Sequence, residues 1–296
     1  MNNPGERIGV YSVPARPVRS NAQIGALLVD SGRITPEEAD RVMRLQREKG
    51  MRFGDAAIKL GLITSVDIDR VLAQQFECPF LVPGTSGLSG ELVAAYAPFD
   101  QRVETFRAVR SQLMLRWFNP DVGLKHLAIV SPHRAEGRSH FAANLAVVFS
   151  QLGERTLLID ADMRHPRQHL LFNLENRAGL STLLAGRANT EVIEHILPLL
   201  DLSILSAGPI PPNPQELLGR PLFQKLLVDL AKEYDVIILD TPAGEAHADA
   251  QTIATRAGGA FMVARLDHTP ISTAKTLSDR LASTGAVLVG AIVNKA

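Results

Sequence analysis

Six near-continuous apolar runs constrain this chain more than any other feature. They are HLAIVS (126–131), TLLIDAD (156–162), LSILSAG (202–208), DVIILDT (235–241), GAFMVAR (259–265) and VLVGAIVN (287–294). A strand with one face in water alternates apolar and polar residues, and these runs do not. They predict strands buried on both faces, the condition of a parallel sheet covered by helices. The stretches between them carry helical spacing, so the expected class is α/β, a parallel sheet with helices on both faces.

In such a sheet, ligands sit beyond the carboxyl ends of the strands, and three of the runs end in suggestive chemistry. The first leads into SPHRAEGRSHFAANLAVVFSQLG, whose Gly137-Arg138-Ser139 matches the close of the phosphate-loop pattern Gly-x-x-x-x-Gly-Lys-Ser/Thr. That pattern serves phosphate through backbone N–H groups and a helix N-terminus, and serves magnesium through the hydroxyl. Ala135 stands where glycine is usual and Arg138 where lysine is usual. Arginine keeps the charge but is a planar fork, able to cradle two oxygens or to hold them slightly displaced. The second run closes on Asp160 and Asp162, alternate positions of an extended chain and so both expected near the sheet's rim, and the third on Asp240. A carboxylate after four apolar residues is costly to bury unpaired, which favours a metal or hydrogen-bonded role. One such aspartate commonly just caps a turn; three beside a phosphate-like loop point to a Mg-nucleotide site.

The 31 basic and 31 acidic residues cancel, giving no electrostatic case for nucleic acid or an anionic membrane surface. One cysteine, Cys78, excludes an internal disulfide and reads as a small buried hydrophobe. No run reaches the roughly 18–20 apolar residues needed to span a bilayer, and the Arg- and Pro-bearing N-terminus is unlike a signal peptide. A cytoplasmic protein is expected, peripheral to the inner membrane through a partner.

Residues 1–20 read as a flexible tail. The stretch from Ile24 then repeats from Phe53, pairing Gly25 with Gly54, Gly32 with Gly61, Ile34 with Ile63 and Thr35 with Thr64. The match continues at Asp40/Asp69, Arg41/Arg70 and Gln46/Gln75. Each unit reads as helix, glycine stop, threonine N-cap, helix, with Pro36 suited to a first turn. Two such units can bury their apolar faces together in a helical domain over residues 21–82. PGTSGLSGE begins a linker over 83–99, and residues 100–296 form the α/β domain.

Taken together, the phosphate loop, IDADMRHPRQH, ILDTP and SAGPIPPNPQELL (206–218) resemble the bacterial tyrosine kinases of the phosphate-loop type, which serve polysaccharide export. ETFRAVR matches that family's Glu-x-x-Arg-x-x-Arg helix at Glu104, Arg107 and Arg110, a motif that joins subunits in a ring; by spacing alone it is a charged helix face. The resemblance implies a P-loop NTPase-type fold, ATP and Mg2+ as ligands, and a membrane chain-length-determinant protein (a polysaccharide co-polymerase) as partner. It puts phosphate and nucleotide at Ala135, Glu136, Gly137, Arg138, Ser139, His140 and Asn294, and the metal at Ser139, Asp162 and Asp240. Asp160 is expected to accept the tyrosine proton, with Asp160 and Asp162 exchangeable in role, and Arg164 to hold the substrate or a neighbouring chain. The N-terminal repeat resembles the N-terminal domain of type II secretion ATPases, some of which bind cyclic di-GMP. Their Arg-Leu-Gly appears here as Gln23-Ile24-Gly25 and Arg52-Phe53-Gly54, which favours docking of a protein.

The resemblance departs at the tyrosines. The family's C-terminal tyrosine cluster is absent, leaving Tyr11, Tyr96 and Tyr234, of which Tyr11 in the tail is the accessible acceptor and Tyr234 reads as packing. Three readings remain: an active kinase, an ATP-binding scaffold of the same export system, and a ParA/MinD-like ATPase. The last carries a second lysine early in the loop, where this chain has His133.

Overall fold

The computed structural model describes residues 24–65, 67–68, 71, 81, 84, 86–197, 199 and 201–295. Gln23, Tyr11, Cys78 and the repeat positions Asp69, Arg70 and Gln75 lie outside the described residues. The chain divides into two compact units between Leu72 and Ala73.

In the first unit the repeat expresses itself as capping chemistry. Helix α1 (Ile24–Asp30) is followed by Gly32 at φ 68°, and Thr35 caps α2 (Pro36–Lys49). The Thr35 hydroxyl accepts from Glu38 N at 3.2 Å, while Glu38 Oε2 accepts from Thr35 N at 2.8 Å. After α3 (Phe53–Lys59), Gly61 repeats the positive φ, and Thr64 and Asp67 repeat the reciprocal bonds. Each arrangement satisfies two N–H groups that a helix start leaves unpaired. The apolar faces meet around Leu28, Ile34, Val42, Ala57 and Ile63.

The described elements of the second unit are α4 (Val93–Tyr96) and α5 (Gln101–Arg116), followed by β1 (His126–Val130), α6 (Arg138–Ser150) and β2 (Thr156–Asp160). Two short helices, α7 (Gln168–Leu171) and α8 (Leu180–Leu184), lead to β3 (Glu194–His195) and β4 (Leu202–Leu205). Then come α9 (Pro214–Gly219), α10 (Pro221–Leu230), β5 (Val236–Asp240) and α11 (Asp249–Ala257). The last elements are β6 (Gly259–Arg265), α12 (Ile271–Ser283) and β7 (Val287–Asn294). Among the described residues seven strands lie in the order β3-β4-β2-β5-β1-β6-β7. All six expected runs are strands and pair in parallel. The seventh strand, β3, is a two-residue antiparallel edge that the apolar pattern does not announce.

Alternate strand residues feed two cores. Leu127, Ile129, Leu158, Ile204 and Ile238 face one side, while Ala128, Val130, Leu157, Ile159 and Leu239 face the other. The runs are therefore continuous because each strand has two apolar faces to fill. Helix α6 is buried along most of its length, which explains its apolar residues all round. Its one buried amide is satisfied: Asn144 Nδ2 donates to Glu91 O and His140 O at 3.0 Å, and its Oδ1 accepts from Ala94 N at 2.9 Å. Among the described residues no helix is long and apolar enough to cross a membrane.

Candidate nucleotide and phosphoryl-transfer site

The loop between β1 and α6 adopts two left-handed residues, Ala135 at φ 59° and Gly137 at φ 90°. For alanine that conformation costs roughly 1–2 kcal/mol, so surrounding bonds must hold it. Arg265 Nη1 donates to Ala135 O at 3.2 Å, and Asn294 Nδ2 donates to Glu136 O at 3.2 Å. The Glu136 carboxylate is buried and accepts from His133 N at 2.8 Å and from the Thr269 hydroxyl. Glu136 and Asn294 thus bring their side chains to the loop itself. A Cβ on Gly137 would lie 2.3 Å from Asn294 Nδ2, so the position has neither the backbone freedom nor the space for a side chain. Gly137 gives α6 no side-chain cap, and the first turn carries no acidic residue, as an anion-binding helix start requires. His140 turns away from the loop: its ring packs 6.1 Å from that of Phe106, and burial pushes its pKa down.

Beside the loop two carboxylates, Asp162 and Asp240, meet one guanidinium, and Asp160 lies next to them. Asp160 and Asp240 are register partners at the ends of β2 and β5. Arg138 donates to Ser131 Oγ at 2.7 Å and to Asp162 Oδ2 at 3.2 Å, and its Nε lies 3.4 Å from Asp240 Oδ1. Gln168 Nε2 bridges Asp240 Oδ2 at 2.8 Å and Ser139 O at 3.1 Å. Burial raises the pKa of Asp240, opposed by Arg138, Ser139 and Gln168. Burial also raises Asp160 well above the usual carboxylate range, and the neighbouring Asp240 adds to the effect.

Asp160 and Asp162 are expected near the rim together, and of the two it is Asp162 that borders the open cleft. Asp160 has no exposed surface, and its oxygens accept from Arg167 N and Gln168 N at 2.9 Å and from Asp162 N at 3.2 Å. Asp162 lines the adjoining cleft of about 480 Å³, together with Arg134, Ala135, Arg138 and Ser139. Arg164 also lines it, but its guanidinium is gripped by buried Asp249, at 2.7 Å from Nε and 3.3 Å from Nη2. Gln168, Asp249 and Thr269 are the residues the sequence reading missed; their partners are far away in the chain, and no local spacing marks them.

The residues fit a magnesium-bound nucleotide. Asp240 Oδ1 and Arg138 Nε are buried with no hydrogen-bond partner. Ser139, Asp162 and Asp240 offer hard oxygen donors of the kind magnesium takes with water and phosphate. Among the described residues no three His, Cys, Asp or Glu side chains converge to hold a metal unaided.

The remaining expected residues lie elsewhere. Glu104 pairs with Arg107 on α5, while Arg110 Nη1 donates to Val148 O at 2.7 Å and ties α5 to α6. The Tyr96 hydroxyl donates to Leu88 O at 2.8 Å, and Tyr234 is buried in the core. SAGPIPPNPQELL binds β4 to α8: Leu180 N and Ser181 N donate to Ser206 O and Ala207 O, and Ser181 Oγ donates to Pro209 O at 2.7 Å.

No protein-family model matches the chain. It is 36% identical over 209 residues to the tyrosine-protein kinase YwqD of Bacillus subtilis (strain 168), an alignment covering 71% of this chain and 87% of the relative. The kinase domain of Escherichia coli tyrosine kinase ETK superposes with a TM-score of 0.65 at 32% identity, covering 69% of this chain and 79% of that one. The chimerical protein CapA2B2 gives the same TM-score at 34% identity, covering 76% and 97%. With a parallel sheet whose strand ends carry the loop and carboxylates described above, and with relatives at this identity and coverage, the chain belongs to the bacterial tyrosine-protein kinases.

Proposed function

We propose that this chain transfers the γ-phosphoryl group of magnesium-bound ATP to tyrosine, in a system that controls polysaccharide chain length and export. The observation that carries the site is the meeting of the Ala135–Ser139 loop with Asp162, Asp240 and Arg138. The loop's backbone and the start of α6 receive the phosphates. Ser139 and Asp240 hold the metal, which neutralises charge on the phosphates. The phenolic proton passes to Asp162, whose side chain reaches the cleft. Asp160, enclosed by backbone N–H groups, orders the 161–168 loop. The P–O bond to the β-phosphate breaks, the bond to the tyrosine oxygen forms, and ADP departs with the bridging electron pair.

Named relatives favour this reading over a scaffold that only binds nucleotide. His133, which pairs with Glu245 at 2.6 Å, supports it over a ParA/MinD-like ATPase. The acceptor is a tyrosine of a membrane chain-length-determinant partner, which also brings the chain to the cytoplasmic face of the membrane. Glu104, Arg107 and Arg110 serve assembly of a ring. The N-terminal unit docks a protein; its single Arg52 at the Arg-Leu-Gly positions argues against cyclic di-GMP. The test is phosphotyrosine formation by purified chain with Mg-ATP and the partner's cytosolic segment, lost on Asp162→Asn. Persistent absence of phosphotyrosine from the wild type overturns the reading.

A further inference from the structure

Three of the four arginines on the cleft are already neutralised. Arg138 is held by Asp162 and Asp240, Arg164 by Asp249 and Arg167 by Glu91. Arg134 is exposed in the middle of the phosphate loop, lines the cleft, and makes no hydrogen bond or ion pair among the described residues. The backbone around it is nonetheless fixed. His133 N is bound to Glu136, Ala135 O to Arg265, and Glu136 O to Asn294. The loop keeps Ala135 in a conformation that disfavours it. A rigid loop therefore presents one uncompensated guanidinium to the space shared by Ser139 and Asp162.

We propose that Arg134 is a catalytic residue, contacting the transferring γ-phosphoryl group from the same chain that binds the nucleotide. This rests on the kinase reading above. As the bond to the β-phosphate lengthens, charge spreads over the equatorial oxygens, and a planar fork can bridge two of them. Arg138 is poorly placed for this task because its charge is shared with two buried carboxylates. Arg134 brings a full charge that costs no ion pair to redirect. The phenolic proton passes to Asp162, the bond to the tyrosine oxygen forms, and ADP leaves with the bridging electron pair.

The test compares wild-type full chain with Arg134→Gln and Arg134→Lys. Thermal unfolding should be unchanged, because the side chain is exposed and has no partner to lose. Arg134→Gln should lower kcat by roughly 100- to 1,000-fold, the scale of losing one oriented donor to the transition state, and Arg134→Lys should retain part of the rate. Displacement of a fluorescent nucleotide gives a readout apart from turnover. Affinity for Mg-ADP should hardly change, while the tightening produced by aluminium fluoride, which mimics the transferring group, should be lost in Arg134→Gln. An unchanged kcat overturns the proposal, as does a raised KM for the acceptor at constant kcat, which would make Arg134 a peptide contact. If the wild type neither binds Mg-ADP nor labels tyrosine, the kinase reading itself fails and this one falls with it.

Discussion

Replacing Arg138 with methionine keeps most of the side chain's length and removes its charge. Among the described residues Arg138 is the one cation within ion-pair distance of Asp162 and Asp240, whose side chains are 5% and 0% exposed. The values for surface pairs, about 0–1 kcal/mol, do not apply at that burial. Removing one partner of a buried pair costs about 3–5 kcal/mol, because the remaining charge stays desolvated. For a unit of this size 1 kcal/mol moves Tm by roughly 2–4 °C, so Arg138→Met should lower the melting transition by roughly 6–20 °C. The loss should shrink on acidification. Asp160 and Asp240 have folded pKa values raised above their unfolded ones, so the folded state binds the extra protons and its stability falls as pH rises through the folded pKa. Below the unfolded carboxylate range both states are protonated, and the penalty is smallest there. Calorimetric scans of both proteins from about pH 7 towards pH 4, near the reference carboxylate pKa, would measure it. A deficit below about 1 kcal/mol, the surface-pair range, or a deficit that grows towards acid, would refute the claim that Arg138 compensates a buried anionic cluster.

Ala135→Gly should raise stability by about 0.5–1 kcal/mol. Relief of the left-handed alanine, about 1–2 kcal/mol, is offset by the greater freedom of glycine in the unfolded chain; denaturant unfolding checks it. Gln168→Leu should cost about 1–3 kcal/mol by stranding Asp240 Oδ2 and Ser139 O, and should weaken the dependence of nucleotide binding on Mg2+ in a titration. Gly137→Ala should abolish nucleotide binding, since its Cβ meets Asn294 and its φ is positive, as a fluorescent-nucleotide titration would show. Tyr96→Phe should leave phosphotyrosine yield unchanged in immunoblots, because its hydroxyl is engaged by Leu88 O.

The parallel sheet was legible because burial on two faces writes an unbroken apolar run into each strand. Edge strand β3 was not, since Glu194 and His195 are exposed and bear no such run. Residue type marked Gly137, Ser139 and the three aspartates as candidates, because few other side chains suit phosphate and magnesium. Their orientation was harder. Alternation treats Asp160 and Asp162 alike, yet β2 ends at Asp160, and beyond the strand the alternation no longer governs where Asp162 points. The ties that hold the site, Gln168 to Asp240, Arg164 to Asp249 and Thr269 to Glu136, join positions 72, 85 and 133 residues apart. Contacts that distant leave no periodicity in one sequence.

Asn294 and Arg265 brace a loop that lies more than a hundred positions earlier in the chain. During synthesis the ribosome therefore delivers the phosphate loop long before it delivers its braces. Until β6 and β7 have emerged and paired, Ala135 and Glu136 lack these braces, and nucleotide competence should not be reached before then. A polypeptide released before those strands would carry the phosphate loop and the three aspartates without Arg265 and Asn294, and should bind nucleotide poorly.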